Sequence, residues 1–318
     1  MIRSRLAYTI TELLVVVAVL LVLAALLFPV FSSSIERPKA AVCINNFRQV
    51  SLSTLLYADD YEDRLVPVQL QPGGNGNSHT DRTWVQLVLP YATSFLLFRC
   101  PSDYTNQSAE TATFDQDLVP GDTYSEYYTA SLHVNLGYNY QYLAPILKGT
   151  SRWVSSPITT TEVTDPTRTL LFVDSTTGAD RSSSTATGGG ATVDATGGSG
   201  SGNSGGSGQT ELLGGGWLVE PPCRFETLPD GTVFDTFTKT NGQSSQVYSA
   251  TVGWKPLDSS SSLQYGGAWP RHFGRLTVSR LDGSAKLLTV SALTDGCNPL
   301  PSWSGSISNS AKYLWTSQ

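Results

Sequence analysis

From Leu13 to Ile35 the chain carries no charged side chain for 23 residues. A helix of that length runs roughly 34 Å, enough to cross a hydrocarbon core of about 30 Å. A single carboxylate, Glu12, stands at the edge of this run, with Arg3 and Arg5 before it. A charge at such an edge is costly and marks function. The two arginines favour a cytoplasmic start to the chain by the positive-inside rule. Past Ile35 the pattern changes. Cys43, Phe47, Val50 and Thr54 recur at helical spacing with Leu55 beside them. This predicts that the helix continues and packs one face on a globular domain. Pro38 is expected to kink or interrupt it.

Near the other end, "RLTVSRL" alternates apolar and polar positions, "DG" follows, and "SAKLLTV" offers a return strand. That is a hairpin, with a tight primed turn at Asp282-Gly283 and positive φ at Gly283. Residues 176–216 read differently. "SSSTATGGGATVDATGGSGSGNSGGSG" cannot bury enough apolar surface to offset its ordering entropy, and a flexible surface excursion is expected. Within it "GNSGG" mimics a nucleophile elbow and "GSGNSG" a dinucleotide-binding turn. Neither follows a strand or opens a helix, as those chemistries require.

Composition narrows the classes. Only 14% of residues are charged, and Ser, Thr, Gly, Tyr and Trp fill the gap, a blend common in extracytoplasmic β-rich domains. The net charge of −6 and the lack of a basic patch argue against nucleic-acid binding. There is no HExxH, Walker A loop or dinucleotide-binding unit. No enzymatic activity is therefore expected. Cys43, Cys100, Cys223 and Cys297 are widely spaced without a CxxC pair, so two disulfides in an oxidising compartment are the better reading than zinc. Three connectivities are possible.

The N-terminal segment "RLAYTITELLVVVAVLLVLAALLFPVF" resembles the class III signal of type IV pilins and type II secretion pseudopilins. That signal has a short basic leader, a small residue, an aromatic, and a Glu four residues beyond. Ala7, Tyr8 and Glu12 occupy those places, with Ala for the usual Gly and Tyr for the usual Phe. The resemblance implies cleavage between Ala7 and Tyr8 by a prepilin peptidase, with methylation of the new Tyr8 amine. It also implies a role for Glu12. When apolar helices bundle in a filament, a buried carboxylate needs a cation, and the neighbour's Tyr8 amine would supply one. Pro29 falls where pilin helices commonly loosen.

Further landmarks resemble the large prepilin-like family named for an H-x9-DG element. They are "CINNFRQ", "YADDYEDRLVP", "WVQLVLPY", "FRCPSD", "LGYNYQYL", "DPTRTLLFVDS" and "RHFGRLTVSRLDGSAKLLT", in the family's order. In the last, nine residues separate His272 from Asp282-Gly283. Cys43 and Cys100 belong to the shared part, and the preferred pairing is Cys43–Cys100 with Cys223–Cys297; buried free thiols are the alternative, for Cys43 in particular. His272 is read first as a structural hydrogen-bonding residue, with metal ligand and base as alternatives. With three histidines in the chain, a His-rich metal site is not expected. Asp59, Asp60, Glu62 and Asp63 are weak calcium candidates, since some secretion pseudopilins order a loop with calcium, although a solvated helix end explains them equally well. Trp217, Trp254, Trp269, Trp303 and Trp315 are read as core rather than as a sugar- or partner-binding surface.

The expected fold class is α+β, a pilin-like lollipop. It comprises a leader (1–7), a transmembrane and assembly helix (8–35), its amphipathic continuation (36–64) and an extracytoplasmic antiparallel β-rich head (65–318). The expected function is a structural subunit of a type IV pilus or type II secretion pseudopilus. Its expected partners are the prepilin peptidase, other pilin or pseudopilin subunits and the inner-membrane assembly platform. The chain would be single-pass in the inner membrane with a periplasmic or extracellular head. The alternative is a signal-anchored protein whose head binds polysaccharide or another envelope component.

Overall fold

The computed structural model describes residues 9–70, 82–103, 131, 134–148, 153–175, 216–227, 233–235, 254, 265–301 and 304–317. Within the first helix, the side chains of residues 25–35 lie outside the described set. The leader 1–7, the cut site at Ala7 and Tyr8, and residues 176–215 of the Gly/Ser tract with both its mimicked motifs also fall outside it. So does Trp303.

The fold is α+β. Its first element, α1, is an unbroken helix over Ile10–Asp60, 51 residues long. Thr9 caps it: the Thr9 hydroxyl accepts from the Glu12 N–H, while Glu12 Oε2 accepts from the Thr9 N–H at 2.8 Å. This reciprocal pair satisfies two of the orphan donors at the helix start. Neither Pro29 nor Pro38 ends the helix, so of the kink or interruption expected at Pro38 the interruption does not occur. A proline inside a helix costs about 3 kcal/mol. Burial of Cys43, Phe47, Val50 and Thr54 against the head, as their spacing predicts, outweighs one such loss. Among the described residues, no helix is long and apolar enough to cross a membrane. The expected span over 8–35 includes the undescribed side chains of 25–35.

The remaining elements are short. Strands β1 (Gln69–Leu70) and β2 (Arg82–Thr83) pair ahead of helix α2 (Trp84–Val88). Next come β3 (Leu136–Tyr138), helix α3 (Tyr140–Leu143), and the hairpin of β4 (Ile146–Lys148) with β5 (Trp153–Ser155). Strands β6 (Leu170–Asp174), β7 (Cys223–Thr227), β8 (Val233–Asp235), β9 (Arg275–Arg280) and β10 (Ala285–Thr289) follow. The chain closes with helix α4 (Val290–Leu293), β11 (Cys297–Asn298) and β12 (Gly305–Ile307).

One four-stranded sheet has the order β10-β9-β6-β3 and is antiparallel throughout. Helix α1 lies against its β9, β10 and β6 strands. The second four-stranded sheet, β11-β12-β7-β8, contains one parallel pair, β12 with β7, so the head is not purely antiparallel as expected. Every residue of β6 is buried. Leu171 and Phe172 join the core under α1, whereas Leu170 and Val173 join a second core with Trp254, Val278 and Trp315. A strand covered on both faces has no polar side to show, which is why "LLFVD" reads as an apolar run instead of an alternation.

The hairpin of β9 and β10 is present, with Gly283 at φ 81°. Its turn is not the two-residue primed form. Arg280 and Ser284 pair across a three-residue loop in which only Gly283 is left-handed, and the Asp282 carboxylate accepts from the Ser284 N–H at 2.9 Å. A Cβ on Gly283 would lie 2.9 Å from Leu52 on α1, so the loop tip sits directly on the helix.

Two closures hold the head together. Cys223 and Cys297 are disulfide-bonded, as expected, across 74 residues of sequence. In the chain-entropy view such a loop stabilises by about 4 kcal/mol. The ends of the Gly/Ser tract also meet: the Ser175 hydroxyl donates to the Gly216 carbonyl. Replacing the 40 residues 176–215 with a linker of about four residues should therefore leave the fold intact. The shorter closure should raise stability by about 2 kcal/mol in the loop-entropy relation. Thermal denaturation of the two proteins, followed by circular dichroism, measures the difference.

Candidate functional site

Four side chains from four different elements converge beneath α1. Cys43 projects from the helix and Cys100 from the loop after the 3₁₀ turn Phe95–Phe98. Asp174 ends β6, and His272 precedes β9. One ligand atom from each lies within 4.8 Å of all the others, and all four residues are buried. Among the described residues this is the one group of Cys, His, Asp and Glu donors close enough to hold a metal ion.

Local backbone bonds fix each contributor. The Cys100 N–H donates to Asn135 Oδ1 at 2.9 Å, and Asn46 on α1 donates to the Arg99 carbonyl at 2.9 Å. Ser102 donates to Glu36 of the helix at 2.9 Å, so the "RCPSD" loop is tied to α1 on both sides of Cys100. His272 and Arg275 exchange both backbone bonds across Phe273 (φ 53°) and Gly274 (φ 73°). Two left-handed residues in a two-residue loop make a primed turn. The turn expected at Asp282-Gly283 thus occurs nine residues earlier, where it aims the His272 ring inward. Phe273 is a bulky residue at positive φ, a conformation costing on the order of 1–3 kcal/mol that clusters at functional positions.

The electrostatics are concentrated. His272 Nε2 lies 3.2 Å from Cys100 Sγ and 4.0 Å from Asp174 Oδ2. Arg271 sits beside the cluster with 5% of its side chain exposed. Its Nε reaches Asp174 Oδ1 at 3.3 Å, its Nη2 reaches Asp103 Oδ2 at 3.4 Å, and it donates to the Ser175 carbonyl at 2.8 Å. The Asn135 side-chain amide donates to the same Asp103 carboxylate. The Thr277 hydroxyl donates to Cys43 Sγ at 3.4 Å. Burial pushes the Asp174 carboxyl up to about 7, against the pull of Arg271. The hydrogen bond from Cys43 draws the Cys100 thiol down to about 5, with His272 helping and burial opposing. Burial drives the Cys43 thiol the other way.

The arrangement differs from that of a nucleophilic triad. In a working triad the acid orients the ring nitrogen opposite the one that meets the nucleophile. Here Asp174 and Cys100 face the same nitrogen, Nε2, while Nδ1 has no hydrogen-bond partner. Cys43, Asp174 and His272 are 0% exposed and Cys100 2%, so the cluster is enclosed by the fold.

Cys43 and Cys100 are neighbouring buried free thiols, which corrects the expected Cys43–Cys100 disulfide. The Asp174 and His272 side chains converge with them, so the pocket accommodates four donors in place of a two-sulfur bond. His272 does not bond a backbone carbonyl through its ring. Asp59, Asp60, Glu62 and Asp63 sit exposed around the end of α1, where Asp60 accepts from the Tyr91 hydroxyl at 2.7 Å. Trp217, Trp254 and Trp315 are buried core residues, as read from the sequence, whereas Trp269 is half-buried.

Asp174, Arg271, Asp103, Asn135 and Thr277 escaped the sequence reading. The one available signal was an acid closing an apolar strand, in "LLFVD", where a surface turn would be the ordinary expectation. No protein-family model, curated protein or solved structure matches the chain.

Proposed function

We propose that this chain is a pilin-like structural subunit, cut between Ala7 and Tyr8 by a prepilin peptidase and packed with other pilin or pseudopilin subunits through α1. One observation carries the reading. The large apolar residues of α1 from Ile10 to Leu23 are between 44% and 79% exposed, while the same helix from Ala40 onward buries a face in the head. Consecutive positions from Leu13 to Val17 are all open, and at about 100° per residue they cover the whole circumference. A stripe would call for one partner surface, but an apolar rod calls for cover on every side, by lipid or by a bundle of like helices. The uncharged run to Ile35 extends that need to bilayer length.

Glu12 provides a discriminating test. Its carboxylate caps its own helix, so Glu12→Ala removes a cap and a charge together. Glu12→Gln keeps a capping side chain and removes only the charge. If Glu12 pairs with the Tyr8 amine of a neighbour, both variants should fall to background incorporation in sheared filaments, with heads that still fold. Wild-type incorporation of Glu12→Gln would reduce Glu12 to a helix cap and reject the charge-pairing role. Mass spectrometry of the membrane-purified protein should find methylated Tyr8 at the N-terminus. An intact leader would instead favour a tethered binding protein.

A further inference from the structure

We infer that Cys43, Cys100, Asp174 and His272 form a structural zinc site that fastens helix α1 to the head. This site joins the head-packed half of α1 to the head and does not depend on how the N-terminus is processed. Zinc in closed structural sites takes four protein ligands in a tetrahedron, with Zn–S of about 2.3 Å and Zn–N and Zn–O of about 2.0 Å. The edges of such a tetrahedron run about 3.3–3.8 Å. Here Cys100 Sγ and His272 Nε2 are 3.2 Å apart, His272 Nε2 and Asp174 Oδ2 are 4.0 Å apart, and all ligand atoms lie within 4.8 Å of one another. Shifts below an ångström close the shell.

Three independent observations point the same way. Asp174 Oδ2 is buried, faces this cluster and has no hydrogen-bond donor, although a buried carboxylate oxygen ordinarily has one. A Cys43–Cys100 disulfide would leave it in the same state, whereas a cation satisfies it. The ligand types are also matched to one metal: two thiolates and an imidazole select zinc over calcium or magnesium, and four protein donors leave no open position for catalysis. The outer groups complete the picture. The Thr277 hydroxyl donates to Cys43 Sγ, and Arg271 holds the other Asp174 oxygen in place. With two thiolates and the Asp174 carboxylate beside the Arg271 guanidinium, a dication brings the charge of these groups to neutral.

The ligands join α1, the Cys100 loop, β6 and the His272 turn, so the metal would cross-link four elements that share no local sequence. The test uses the full chain, purified in detergent without chelator. Elemental mass spectrometry should find one zinc per chain. After chelation, cobalt(II) added to the wild-type protein should give thiolate-to-metal charge-transfer bands and the strong visible bands of a tetrahedral site, and zinc should bleach both. Cys43→Ser and Asp174→Asn should abolish these bands. Thr277→Val removes only an outer hydrogen bond and should keep the bands with affinity lowered about tenfold or more. Folded wild-type protein that gives no charge-transfer band with cobalt overturns the inference. So does peptide mapping that finds Cys43 and Cys100 joined as a disulfide in the natively purified chain.

Discussion

Arg271→Met should destabilise the head by about 3–5 kcal/mol, the usual cost of removing one partner from a buried ionic group. The magnitude follows from what is left behind. Asp174 and Asp103 lose their shared cation, and the Ser175 carbonyl loses a donor, all in a region closed to water. Arg271→Lys should recover little, because one ammonium cannot span the two carboxylates and the carbonyl that the planar fork reaches. Arg271→Met combined with Asp103→Asn should regain part of the loss, since one of the two carboxylates facing the lost guanidinium is neutralised. Chemical denaturation of the four proteins, compared at matched metal content, reads the difference. A loss below about 1 kcal/mol for Arg271→Met would show that solvent reaches the carboxylates.

Trp84→Ala should cost a similar amount, about 3–5 kcal/mol, for a different reason. Trp84 is fully buried at the centre of the core under α1, stacked on Phe172 at 4.7 Å and tilted against Tyr138 and Phe98. Its indole N–H donates to the Trp217 carbonyl at 2.7 Å. That carbonyl also accepts from the Tyr138 N–H, so deleting the indole donor leaves no orphaned acceptor. The cost is therefore mainly the cavity and the lost aromatic contacts. Trp84→Phe should accordingly recover more than half of it. For a head of this size the alanine variant should melt roughly 6–20 °C lower, as near-ultraviolet circular dichroism would show. A phenylalanine variant as unstable as the alanine one would shift the weight to the hydrogen bond.

What could be read from the sequence follows from how local each feature is. The amphipathic half of α1 was legible because Cys43, Phe47, Val50 and Thr54 repeat at one helical period, and a period survives whatever the face packs against. The β9–β10 hairpin was legible because alternation and an Asp-Gly turn lie within 19 residues. Its turn type was not, since the count of loop residues depends on strand register, and the tip had to seat on Leu52. The parallel pairing of β12 with β7 joins segments about 80 residues apart, and no short-range pattern announces it. The buried cluster is the extreme case. Its members stand at positions 43, 100, 174 and 272, so none of the spacings that betray a metal site in a single loop is present. Three of the four were already singled out individually; only the fold brings Asp174 to them.

The continuity of α1 through residues 25–35 has a geometric consequence. One continuous helix begins as the exposed apolar segment and ends gripped by the head, so the head's azimuth about the helix is set by counting residues. One extra residue inserted between Ala24 and Glu36 would swing the head by about 100° and lift it by about 1.5 Å. Whatever surface surrounds the rod would then meet a differently facing head, with every contact inside that head unchanged.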